Sequence, residues 1–80
     1  MIVVKTVKVS KETNAQICEE IKCNGCTLVE SLEIFEEIKK NNDLTKFSDL
    51  KIVCVFNDED GYVFDCEDVK QELKNLKGGY

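Results

Sequence analysis

The chain reads as a small α/β (α+β) protein: a three-stranded mixed sheet with helices packed on it, in the order β-α-α-β-β-α. Three observations predict this. The opening Ile2–Val9 is rich in β-branched residues with partial period-two alternation, Ile52-Val53-Cys54-Val55-Phe56 is a continuous apolar run, and Thr27 with Glu30 forms a capping box ahead of apolar residues at helical spacing. Eighty residues make one compact unit spanning 1–80, which buries only about 60% of its unfolded surface and leaves no room for a large internal cavity. No internal repeat, low-complexity stretch or proline marks a boundary.

Val3, Val7 and Val9 among Lys5, Thr6 and Lys8 predict a half-buried strand over 2–9. Ser10 and Thr13 are candidate N-caps, Gln16 follows Thr13 by three, and Ile17, Cys18 and Ile21 make a narrow stripe, which together predict a short helix over 13–23. Asn24-Gly25 supplies residues that tolerate a left-handed turn. A second helix over 28–41 follows from the capping box and from Leu28, Leu32, Phe35 and Ile38. Asn41-Asn42-Asp43 ends it, and Leu44, Phe47 and Leu50 are expected to seal the connecting segment against the core.

The run at 52–56 is apolar on both alternating faces, as in a central strand or one covered on two sides. Asp58-Glu59-Asp60-Gly61 then turns the chain, and Tyr62–Cys66 is expected to return as the second arm of a hairpin. Asp65 caps a last helix with Val69, Leu73 and Leu76 on one stripe, which Gly78-Gly79 stops. The first two long strands, joined through helices, are expected to run parallel by a right-handed crossover.

Composition excludes much chemistry. The chain has no histidine, so it lacks the side chain best suited to acid–base work near neutrality and the commonest metal ligand. It has no arginine, and so no planar fork for phosphate or carboxylate. A net charge of −5 opposes direct binding of DNA or RNA and favours basic partners. Met1–Lys5 is too briefly apolar for a signal peptide or a spanning helix, so a cytoplasmic protein with reduced thiols is expected, the odd count of five cysteines agreeing.

Cys23-Asn24-Gly25-Cys26 has the spacing of a redox dithiol, in which a helix N-terminus stabilises the first thiolate and the second thiol resolves the mixed disulfide. In these four residues the chain resembles the thioredoxin-like proteins. The resemblance implies redox exchange by Cys23 and Cys26, but the motif follows a predicted helix instead of a strand, and the family's cis-proline has no counterpart here. The alternative is a turn with buried cysteines behaving as small hydrophobes. Cys18, Cys23 and Cys26, with a fourth thiolate, are also the candidate zinc ligands, though a second C-x-x-C pair is missing. Cys54 and Cys66 read as core packing on inward-facing strand positions.

Asp58-Glu59-Asp60-Gly61 is no calcium loop, because its glycine falls at position four instead of six. The diglycine before Tyr80 invites comparison with ubiquitin-like modifiers, but Tyr80 blocks the carboxylate and the predicted order has no N-terminal hairpin. The remaining feature is charge. Glu30, Glu33 and Glu37 share one helical stripe, where Glu33 and Glu37 repel and only Glu36–Lys40 is a favourable pair. With Asp58, Glu59 and Asp60 at the predicted hairpin tip, they point to a non-catalytic interaction protein that uses no cofactor. Its partner would be a protein with a basic, nucleic-acid-binding kind of surface, and its role that of an inhibitor or nucleic-acid mimic from a bacterium or phage. The bland reading of the same residues is a solvated face.

Overall fold

The computed structural model describes residues 1–78, with side chains to Leu76. Its elements are β1 (Ile2–Val9), β2 (Gln16–Cys23), α1 (Leu28–Lys40), β3 (Lys51–Asn57) and α2 (Cys66–Gly78). This is an α+β architecture of three strands and two helices among the described residues. The sheet is antiparallel throughout, in the order β2-β1-β3.

Two corrections to the predicted order follow. Residues 16–23 are a strand, where a helix was expected over 13–23. The hydroxyl bonds that suggested a helix cap are present but serve a turn: Ser10 Oγ accepts from the Thr13 amide at 3.3 Å, and Thr13 Oγ1 accepts from the Ala15 amide at 3.3 Å. Capping and turn formation use the same local bond, so the motif marks a chain reversal as readily as a helix start. Asn14 completes the reversal at φ 60°, a left-handed conformation that asparagine tolerates. β2 then pairs with β1 along its whole length, from Val9 opposite Gln16 to Ile2 opposite Cys23.

The sheet is therefore not mixed. Because β2 returns the chain before α1 begins, the crossover helix joins β2 to β3, and both run antiparallel to β1 between them. Ile52–Phe56 accordingly lies on an edge strand, not a central one. Ile52 and Val55 turn to the helices, and Cys54 and Phe56 to the other face, where the Lys5 ammonium stands 5.6 Å over the Phe56 ring. Val53, half exposed at 54%, is the extra residue of a bulge opposite Lys5 and Thr6. The expected return strand over 62–66 is reduced to one bridge, Phe56 with Val63. Gly61 does take positive φ, 73°, as its turn requires.

The core lies between one sheet face and the helices. Ile2, Val4 and Val55 from the sheet meet Leu32 and Phe35 of α1, Leu50 just ahead of β3, and Val69 of α2. Their side chains alternate along β1 and recur along α1 as the two periodicities demand. Asp65 caps α2, its carboxylate accepting from the Glu67 amide at 2.8 Å. Of the segment 41–50, Leu50 is buried but Leu44 is 54% exposed, and Ser48 stitches the segment to the end of β1 through Val9. Gly79 and Tyr80, and with them the diglycine stop, lie outside the described residues. The absence of an N-terminal hairpin, one argument set against a modifier protein, does not hold, since β1 and β2 form one.

Candidate interaction surface

The capping box is built as its sequence predicts. Thr27 Oγ1 accepts from the Glu30 amide at 3.2 Å, and the Glu30 carboxylate accepts from the Thr27 amide at 3.0 Å. These bonds hold the Glu30 carboxyl below the usual carboxylate range. Glu30 thus has a structural duty at the helix start, whatever else it meets.

The turn after β3 behaves similarly. Asp58 and Glu59 accept from the N-terminal ammonium at 2.8 and 3.3 Å, and hydrogen bonding to Asp58 raises the ammonium's pKa. Asp60 accepts from the Tyr62 amide at 2.9 Å. Asn57 and Cys23 both lie opposite Ile2, so this turn and the start of α1 stand at the same end of the sheet. α1 then carries Glu33 and Glu37 away toward the other end.

Glu33 and Glu37 differ from the other four acids. Both are exposed, and among the described residues the side chain of neither has an ion pair or a hydrogen bond, where each of the other four acids has one or the other. Lys39, the cation one turn beyond Glu36 in the direction of the helix C-terminus, is engaged with Asp49 at 3.6 Å. α1 thus presents two unneutralised carboxylates four residues apart on a rigid element.

The thiols are dispersed. Cys18 and Cys23 are five residues apart on one strand, which puts them on opposite faces: Cys18 is exposed, and Cys23 is 2% exposed on the helix side. Among the described residues no group of three or more Cys, Asp or Glu is placed to hold a metal ion. Cys26 precedes the N-cap, and burial, then the Glu30 carboxylate, push its thiol above the ordinary value. A reactive dithiol needs the opposite shift. Cys54 and Cys66 are not paired-strand core residues: Cys54 is half-buried beside Lys5 on the helix-free face, and Cys66 is the exposed first residue of α2.

Sequence reasoning missed an apolar surface. Ile38, expected on the buried stripe, is 43% exposed, and Ile34 one turn earlier is 37% exposed. The signal was their own i,i+4 spacing, displaced from Leu28, Leu32 and Phe35 by part of a turn. Ile38 walls an open groove of about 560 Å³ whose other walls include Ile21 of β2 and Phe47. Lys8 closes one end, its ammonium 4.2 Å from the centre of the Phe47 ring and 3.6 Å from Glu19. A smaller cleft of about 250 Å³ lies between α1, β3 and α2, lined by Phe35, Val55, Phe64, Val69 and Leu73.

Among the described residues no helix is long and apolar enough to cross a membrane. Comparison with protein-family models, curated proteins and solved structures gives no match for this chain.

Proposed function

We propose that this protein is a non-catalytic binding protein of the cytoplasm that docks the acidic face of α1 on a basic surface of a protein partner. The observation that carries the reading is the exposed, unneutralised pair Glu33 and Glu37. Like charges at i,i+4 destabilise a helix by a few tenths of a kcal/mol, a cost that a partner's cations offset on binding. Glu30, Asp58, Glu59 and Asp60 flank the docking face at one end, and their internal bonds hold them in fixed positions. A surface that meets such a row of fixed anions is of the kind that binds nucleic-acid phosphates, which makes the protein an inhibitor or nucleic-acid mimic.

Capture of the partner from host lysate should weaken steeply as salt rises from about 0.05 to about 0.5 M, and added nucleic acid should release it. E33Q/E37Q should abolish capture while raising helix stability by about 0.2–0.5 kcal/mol. Capture that is insensitive to salt, or unchanged by the double substitution, refutes the reading.

A further inference from the structure

β2 is an edge strand, and among the described residues no strand or loop pairs with its outer side from Gln16 to Cys23. An unpaired edge of eight residues is a template for another strand. The helix layer leaves the same side of the molecule open. α1 packs on β1 and α2, so Ile34 and Ile38 are exposed while Ile17 and Ile21 of β2 are only half-buried.

Among registers centred on the charged stretch Glu19–Lys22, the sequence of β2 is complementary to itself in one. Two copies joined edge to edge, antiparallel, with their helices on the same side, must place same-face residues opposite one another. A two-fold axis through Glu19 or Glu20 puts two identical carboxylates face to face. Centred on Lys22, it opposes two ammonium groups. Centred on Ile21, it sets Ile21 against its copy, Glu20 opposite the other copy's Lys22, and Lys22 opposite the other copy's Glu20. In that register the two β1 strands lie three strand spacings apart, about 14 Å. Helices pack at about 8–10 Å, so two α1 helices standing over those strands are about 4–6 Å beyond direct packing, a gap that their facing side chains must fill. Ile38, which shares the groove with Ile21, faces across that gap, with the exposed Ile34 one turn earlier on the same side of α1.

We propose that the groove and the β2 edge are covered by a second copy of this chain, forming a two-fold dimer with a continuous six-stranded sheet centred on Ile21. The charge pairs choose the register, and the isoleucines of α1 and β2 supply the apolar contact. The acidic stripes of Glu33 and Glu37 stay on the solvent side of the two helices, so the dimer stands or falls independently of the proposed partner.

Sedimentation or light scattering from low to high micromolar concentration should show a concentration-dependent dimer. E20K or K22E replaces two attractive cross-strand pairs with two repulsive ones, so each alone should raise the dimer dissociation constant by roughly 10- to 100-fold. E20K/K22E together restore opposite charges and should return the dimer to near its original strength. Circular dichroism checks the fold of each variant, and amide exchange along β2 should slow with protein concentration in the unsubstituted chain and in E20K/K22E, but not in the single reversals. A chain that stays monomeric at high micromolar concentration overturns the proposal. So does a dimer indifferent to the single reversals, or one that the double reversal fails to restore. A monomer that instead binds a basic amphipathic peptide in the groove assigns the surface to another occupant and overturns it equally.

Discussion

Truncating Leu32 to alanine tests how α1 is seated. Leu32 is 0% exposed, in a cluster with Ile2, Val4, Phe35, Leu50, Val55 and Val69 contributed by every element of the core except β2. Leu→Ala at such a site removes the transfer energy of the lost carbons and leaves a cavity, at a cost of about 2–5 kcal/mol. At roughly 0.05–0.15 kcal/mol per residue, a chain of this length has only about 4–12 kcal/mol in all. With a urea m-value of about 1 kcal/mol/M, the unfolding midpoint should fall by roughly 2–5 M, far enough to leave a less stable chain partly unfolded without denaturant. Val29, 38% exposed on the same helix and outside the proposed dimer contact, is the control, and V29A should change stability by less than about 1 kcal/mol. Equal losses from the two substitutions, or a loss below about 1 kcal/mol for L32A, would mean that α1 presents a different face to the sheet.

T27A removes the hydroxyl that accepts from the Glu30 amide and should cost about 1 kcal/mol, read as a lower urea midpoint, while T27S should retain most of it. Stability should also decline at both ends of the pH range. Glu30 and Asp43 have lowered folded pKa values, Glu30 through its bonds with Thr27 and Asp43 through those with Thr45, so their contribution is present above the unfolded carboxylate range near pH 4 and is lost as pH falls through the folded values. The N-terminal ammonium is shifted the other way by Asp58, so its contribution is full below an unfolded value near 8 and is lost as pH rises through the higher folded one. Thermal melts across pH should show the acid loss shrink in E30Q and the alkaline loss shrink in D58N.

What could be read from residues alone was whatever neighbours in the chain decide. β1 over 2–9 was legible from its β-branched composition, while the capping box at Thr27, the start of α1, the positive φ of Gly61 and the Asp65 cap depend on bonds spanning a few residues, and each is present in the structure. β2 was misread because Glu19, Glu20 and Lys22 suit a helix, and Ser10 and Thr13 offer a bond common to caps and turns. Pairing with β1, which lies up to 21 residues away between Ile2 and Cys23, settles the choice for a strand. The same non-local pairing placed Ile52–Phe56 at an edge and made the sheet antiparallel.

The candidate surface divides along the same line. The presence of six acids was evident from the sequence, but only the tertiary arrangement shows Glu30 tied to Thr27, Asp58 and Glu59 tied to the N-terminus, and Glu33 with Glu37 left unpaired. Local propensity acts through bonds between near neighbours and is written in order along the chain. Which strand is an edge, which carboxylate meets a cation and which isoleucine stays uncovered depend on segments brought together by folding. Among the described residues two helices cover the sheet, and α1 sits over β1, so the apolar flank formed by Ile34, Ile38 and Ile21 is a product of packing, where periodicity had placed Ile38 on the buried stripe and had not singled out Ile34.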